Sequence, residues 1–316
     1  MSATDLSRRR FLQGLAGLLA TAPLPSLAAP AQTPAQPFRF AFVTDLHLLR
    51  DEALRSAQGI ATCLQAVEEL NPRPDFILCG GDLVNDTHLL SIGEASRTLD
   101  RFLQIWRDNT GLPVHWTFGN HDSCATGAPF KPVNDPLYGK GLFKQRLGLS
   151  SLFYTFDYKG WHFVVMDDVA LLPDNGYEGR LFDDELAFLR ADLQAHAATP
   201  TILSTHIPLV SMLPLAFGLL KATGFHIQSP HSMVCTNGSS LIHDFPGHNI
   251  RAVLAGHLHI YEENPMASVP FYNSGAVCAN YWKGPLAGCA EGFGVVDVGA
   301  NGLVKFKYHT YGWKAA

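Results

Sequence analysis

The sequence predicts an α/β fold. Apolar runs of strand length alternate with helical stretches, and each run ends directly in polar residues that carry chemistry. The 316-residue chain is 47% hydrophobic and 16% charged, with 28 Gly and 20 Pro, which suits a globular protein with a full core. Phe38 to Thr44 is the first apolar run and ends in Asp45. A helical stretch from about Ala53 to Leu70 stops before Asn71-Pro72, because the residue before proline is pushed out of the helical region. Phe76 to Cys79 then runs into Gly80-Gly81-Asp82. After a helix near Ser91 to Arg107, the strand Val114 to Phe118 runs into Gly119-Asn120-His121-Asp122. Strand, helix, strand, helix, strand is the order of an α/β sheet.

Phe153 to Tyr158, the Lys159-Gly160 turn and Trp161 to Met166 read as a hairpin. Asp183 is expected to cap a helix whose Leu186, Leu189 and Leu193 recur at helical spacing. Two further strands finish in histidine: Thr201 to Thr205 leads to His206, and Arg251 to Ala255 leads to Gly256-His257-Leu258-His259. Another strand is expected to end near Val277, and Phe293 to Val298 with Leu303 to Tyr308 forms a closing hairpin. No internal repeat and no second domain is visible.

The first residues stand apart. Arg8-Arg9-Arg10-Phe11-Leu12 precedes a short apolar run, Gly14 to Ala20, and a small-residue region ending in Ala28-Ala29. This has the form of a twin-arginine export signal over residues 1–29, and the run is too short to span a bilayer. Residues 30–37 are a Pro, Ala and Gln linker, and residues 38–316 are expected to be one domain. The expected destination is the periplasm or the exterior, reached through the twin-arginine machinery, with no transmembrane segment in the mature chain. Removing the signal takes three Arg and one Asp from 23 basic and 28 acidic residues, so the net charge moves from −5 to −7. Bulk charge therefore argues against nucleic acid as a partner. The six cysteines lack C-x-x-C or zinc-finger spacing, and Cys63 and Cys79 read as buried small hydrophobes. An oxidising destination allows a bridge such as Cys278 to Cys289.

The polar strand ends are, in order, Asp45-Leu46-His47, Gly81-Asp82, Gly119-Asn120-His121-Asp122, Thr205-His206 and Gly256-His257-Leu258-His259. Each fragment alone is weak. Ligands of open α/β sheets sit beyond the carboxyl ends of strands, so all five can converge on one site. Carboxylate, amide oxygen and imidazole suit manganese, iron, zinc or cobalt, and the motifs contain no thiolate. Two such cations roughly 3.5–4 Å apart can clamp both oxygens of an in-line displacement at phosphorus.

In order and placement these motifs resemble the calcineurin-like metallophosphoesterase superfamily. The resemblance extends from Phe38 to about Trp313 and includes Gly179-Arg180-Leu181 and Met166-Asp167. It implies a four-layer α/β/β/α sandwich with a dinuclear metal centre at one edge. Asp45, His47 and His259 would hold the first divalent ion, Asp82 would bridge, and Asn120, His206 and His257 would hold the second. The expected reaction is hydrolysis of a small phosphomonoester or phosphodiester by in-line attack of a metal-bound hydroxide, without a phosphoenzyme. His121 is expected to act on substrate, stabilising phosphoryl charge or protonating the leaving oxygen, and not as a ligand. Asn85 stands where purple acid phosphatases have an iron-binding tyrosine and many phosphoprotein phosphatases an aspartate that orients the histidine. This argues against the purple acid subgroup and leaves Asp86 and Asp122 as candidates to orient His121.

Nine histidines, His88 and His162 among them, lie outside any motif and read as structural. Ile207 to Leu220 reads either as core loop and short buried helix or as an apolar wall beside the metals that would favour a hydrophobic phosphoester. Tyr281-Trp282-Lys283-Gly284 could bring an aromatic and a cation to the pocket mouth, with surface packing the simpler role for Trp282. Two other classes compete with the hydrolase reading. A metal-dependent binding protein could keep the fold without activity. Zinc amidohydrolases also use H-x-H, but commonly on the first strand, whereas here it comes last.

Overall fold

A computed structural model describes residues 36–129, 131–173, 176–223, 226–228, 232–266 and 268–315. The export-signal reading falls on residues 1–29 and lies outside the described residues. In chain order the strands are β1 (Phe38–Val43), β2 (Ile77–Cys79), β3 (Val114–Trp116), β4 (Tyr154–Tyr158), β5 (Trp161–Val165), β6 (Val169–Leu171), β7 (Tyr177–Gly179), β8 (Thr201–Ser204), β9 (Lys221–Thr223), β10 (His226–Gln228), β11 (Ile250–Ala255), β12 (Glu262–Met266), β13 (Val269–Asn273), β14 (Gly292–Val298) and β15 (Val304–Thr310). The α-helices are α1 (Ser56–Glu68), α2 (Ile92–Asn109), α3 (Gly141–Arg146), α4 (Asp183–Ala195), α5 (Leu213–Ala216) and α6 (Gly238–His243).

Two large sheets carry the fold. The first has the order β15-β14-β1-β2-β3 and the second β12-β13-β11-β8-β5-β4. Each sheet has a parallel centre, β1, β2 and β3 in the first and β5, β8, β11 and β13 in the second, and the strands that carry the motifs lie in it. Period-two alternation sorts their side chains. Phe38, Phe40 and Phe42 of β1 face the inter-sheet core with Trp161, Phe163 and Val165 of β5, while Ala41 and Val43 point outward to the helices. Each fully buried Phe contributes roughly 2–3 kcal/mol relative to exposure.

On the outer face of the first sheet, α1 packs Ile60, Cys63, Leu64 and Val67, and α2 packs Ala95, Leu99, Phe102 and Trp106. Ser91 and Glu94 form a capping box that starts α2. On the outer face of the second sheet, α4 contributes Leu186, Leu189 and Leu193, and α6 contributes Leu241. Helix, sheet, sheet, helix is the four-layer sandwich that the sequence resemblance implied.

Two local expectations are corrected. Asp183 does not cap α4: Phe182 occupies the cap position without a side-chain bond, and Asp183 opens an acidic first turn with Asp184 and Glu185 that complements the helix dipole. The strand expected to end near Val277 ends at Asn273, because Val277 N–H leaves the sheet and donates to Thr44 O at 3.0 Å. All six cysteines are free thiols, so no Cys278–Cys289 bridge is present. Cys63 and Cys79 are fully buried, as the apolar pattern around them predicts. Among the described residues, no helix is long and apolar enough to cross a membrane.

Candidate dinuclear metal centre

The site is built where β1, β2, β3, β8 and β11 end. The loops after β1 and β2 bind each other: Asp45 N–H donates to Gly81 O at 3.0 Å, and Leu46 and His47 N–H both donate to Asp82 O, at 2.9 and 3.0 Å. D-x-H spacing follows from this geometry, because Leu46 and Leu48 go into the core while Asp45 and His47 turn the other way. Asp45, His47, Asp82, His257 and His259 all have positive φ, from 41° to 72°. Such conformations are costly for residues with a Cβ and persist only where surrounding structure fixes them. Gly119 allows the third loop to approach, since a Cβ there would lie 2.2 Å from Asp82 N.

All eight residues singled out in the sequence come together. His47 Nε2 lies 3.1 Å from His259 Nε2 and 3.4 Å from Asp82 Oδ2. His259 Nε2 is 3.4 Å from Asp45 Oδ1. On the other side, His206 Nε2 is 2.9 Å from Asn120 Oδ1 and 3.3 Å from the same Asp82 Oδ2. His206 and His257 rings lie 5.1 Å apart. One carboxylate oxygen thus faces both groups of imidazoles. Asp82 Oδ1 meanwhile accepts His121 N–H at 2.7 Å.

The outward ring nitrogens are already engaged. His47 Nδ1 donates to Asn85 Oδ1 at 3.2 Å, His206 Nδ1 to Gly80 O at 2.8 Å, and His259 Nδ1 to Ala279 O at 2.6 Å. Each acceptor fixes the tautomer and leaves Nε2 as an inward lone pair. His257 is reversed, with Nε2 donating to Ser232 O at 2.6 Å and Nδ1 left free to face inward. Inward lone pairs as close as 3.1 Å repel unless a cation lies among them, so the donor set fits two metal ions that share Asp82. The electrostatics agree. Burial alone would lower the pKa of His206, but Asp82 raises it to about 10. Burial likewise opposes ionisation of Asp82, yet His206, His121 and His47 hold its carboxylate well below the usual range. On the other side, burial pushes the His47 imidazole down to about 3, so the neutral ring offers Asp82's neighbourhood a lone pair.

Several contributors were missed by sequence reasoning. Asn85, noted only as a departure, holds His47 and donates through Nδ2 to Asp86 Oδ2 at 2.6 Å. Asp86 Oδ1 in turn lies 3.3 Å from His121 Nδ1. Asp122, the other candidate for orienting His121, instead accepts the N–H groups of Asp82, Leu83 and Gly119 at 2.8–2.9 Å and locks two loops together. Asp168, next to the Asp167 that the motif drew attention to, accepts His206 and Ile207 N–H at 3.1 and 3.2 Å. Asp167 pairs with Lys140 at 2.6 Å instead. His88 approaches His121 with rings 6.1 Å apart, although its sequence context carried no signal.

Trp282 is not at the surface: it is fully buried and its Nε1–H donates to His47 O at 3.0 Å. Its neighbour Tyr281 is the aromatic at the site. The Ile207–Leu220 stretch divides, with Ile207, Leu209 and Leu213 buried and Met212, Leu215, Phe217 and Leu219 exposed. Together with Ile242 and Met266 it borders a cavity of about 440 Å³ that none of the eight site residues lines. Another cavity, about 560 Å³ between Arg39, Asp75, Lys159 and Asp297, is also lined by none of them.

Residues 38–261 match the family described as Calcineurin-like phosphoesterase. The chain belongs to the calcineurin-like phosphoesterase family. It is a metal-dependent phosphoric ester hydrolase whose His and Asp clusters fit a two-metal centre. The phosphoesterase is 26% identical over 251 residues to a 3′,5′-cyclic-nucleotide phosphodiesterase of Nostoc sp., covering 78% of this chain and 80% of that protein. It is 23% identical over 256 residues to a cAMP/cGMP dual specificity phosphodiesterase of Mycobacterium tuberculosis, covering 78% of this chain and 70% of the relative. A dimetal phosphatase from Danio rerio shares the fold with a TM-score of 0.59 at 15% identity, covering 88% of this chain and 98% of that chain.

Proposed function

We propose that this phosphoesterase hydrolyses phosphodiesters more readily than phosphomonoesters. In this reading Asp45, His47 and His259 hold one divalent ion, Asn120, His206 and His257 hold the other, and Asp82 holds both. The observation that carries the ligand assignment is the single Asp82 oxygen lying 3.4 Å from His47 and 3.3 Å from His206. When bound, the metals supply Lewis acidity, activating water and neutralising phosphoryl charge. The remaining steps belong to the chain. Asn85 and the carbonyls of Gly80 and Ala279 keep three imidazoles in the ligating tautomer. His121 donates a proton to the leaving oxygen, and Asp86, 3.3 Å from its Nδ1, favours the protonated ring. The names of the two relatives support the diester preference, because each is described as a phosphodiesterase. Export by residues 1–29 is part of the same proposal, supported by the arginine run and the small residues before Pro30.

The test is turnover by manganese-loaded protein of bis(p-nitrophenyl) phosphate beside p-nitrophenyl phosphate. Faster cleavage of the diester is expected. Faster cleavage of the monoester contradicts the preference, and no cleavage of either with two metals bound favours a metal-dependent binding protein.

A further inference from the structure

The segment after β13 is fastened to the metal centre at several points. Cys278 N–H donates to Asp45 O at 3.2 Å, Ala279 O accepts from His259 Nδ1 at 2.6 Å, and Trp282 Nε1–H donates to His47 O at 3.0 Å. Trp282 also packs so tightly on α1 that a Cβ at Gly59 would lie 2.1 Å from its ring. Ala279, Tyr281 and Trp282 have φ of 43°, 49° and 69°, left-handed values that only such fastening sustains. The consequence is a fixed position for Tyr281. Its ring stands 4.7 Å from that of His47, 5.0 Å from His259 and 6.3 Å from His121.

Tyr281 borders a cavity of about 350 Å³ whose other walls include Leu49, Leu54, Asp86, His121 and Lys283. Tyr281 and the two leucines give the cavity an apolar wall, and Asn85, Asp86, His121 and Lys283 give it a polar one. Asp86 is occupied by Asn85 at 2.6 Å and faces His121. Lys283 is exposed and, among the described residues, joins no ion pair. An unpaired cation beside an apolar wall suits a ligand whose ring ends in an electron-rich or anionic edge.

We infer that this cavity is the subsite for the organic group on the His121 side of the phosphoester, and that it selects an aryl or heteroaryl group. Tyr281 stacks on the ring, Leu49 and Leu54 flank it, and Lys283 meets its polar edge. The inference rests on the phosphoesterase reading of the same metal centre, and Tyr281 and Lys283 become specificity-determining residues for it.

Calorimetric binding of methylphosphonate, phenylphosphonate and 4-carboxyphenylphosphonate to the manganese-loaded full chain tests it. The phenyl compound should bind about tenfold tighter than the methyl compound, and the carboxyphenyl compound severalfold tighter again. Tyr281→Ala should bring the phenyl-to-methyl ratio near one, Tyr281→Phe should keep it, and Lys283→Gln should erase only the carboxylate gain. Equal binding of phenyl and methyl compounds by the wild type overturns the subsite, as does a Tyr281→Phe variant that loses the ratio while retaining two metals. Failure of all three phosphonates to bind the loaded protein is a different result: it removes the metal-centre reading itself, and the subsite with it.

Discussion

At the residue scale, four imidazoles of the site are held from behind, by Asn85 and by the carbonyls of Gly80, Ala279 and Ser232. The sequence made the inward-facing residues legible, since Asp45-Leu46-His47 and His257-Leu258-His259 display their alternation directly. It did not reveal the partners behind them. Asn85 looked like a missing residue until its link between His47 and Asp86 was visible, and of the neighbouring aromatics Tyr281 and Trp282 the pattern did not show that Trp282 is the buried one. The divided roles at the third loop give a sharp prediction. His121→Ala should keep two metals per chain and lower kcat by about 10²–10⁴ fold, the span of a lost proton donor. Metal analysis beside steady-state kinetics checks it, and loss of a metal from this variant would make His121 a ligand.

At the element scale, the strands and helices were legible wherever their hydrophobic period was uninterrupted. The phenylalanines of β1 and the leucines of α4 lie where period two and period 3.6 place them. Readings failed at element ends, where backbone bonding and the helix dipole outweigh pattern: Asp183 sits in the first turn of α4, and Val277 leaves the sheet to donate to Thr44 O just past β1. The first turn of α4 also carries a titration signal. Glu185 accepts Asp167 N–H at 2.7 Å, and burial, aided by the nearby Asp167 charge, pushes its carboxyl from the usual 4.5 up to about 9. A raised folded pKa gives a contribution that is complete below about pH 4.5 and is lost as pH climbs through 9. Over that window the folded state keeps a proton that the unfolded chain releases, so this group makes stability fall by up to about 1.4 kcal/mol per pH unit. Glu185→Gln should remove that slope, so urea unfolding of wild type and variant at about pH 5.5 and about pH 8, roughly one unit inside each end of the window, should show the variant gaining relative stability at the higher pH. Parallel stabilities would contradict it.

At the scale of the whole molecule, two sheets with an aromatic core between them meet at one edge, and the metal centre spans that edge. Asp45, Asp82 and Asn120 come from the first sheet, and His206, His257 and His259 from the second. Metals that bind only the folded state should therefore lock the sheets together, worth about 2.7 kcal/mol when the free metal is a hundred times its Kd. Chelation should lower the Tm, and re-addition of manganese should restore it. An unchanged Tm after verified metal removal would mean that the centre contributes nothing to holding the sheets. The acidic balance of the chain adds to the centre's importance, since attraction for an anionic phosphoester must come locally from the metals.

The central claim is that one carboxylate, Asp82, serves two metal ions. Its most direct test is the metal stoichiometry of the purified, manganese-equilibrated protein beside Asp82→Asn. The account predicts two ions per wild-type chain and at most one in the variant, whereas two tightly held ions in Asp82→Asn would contradict it.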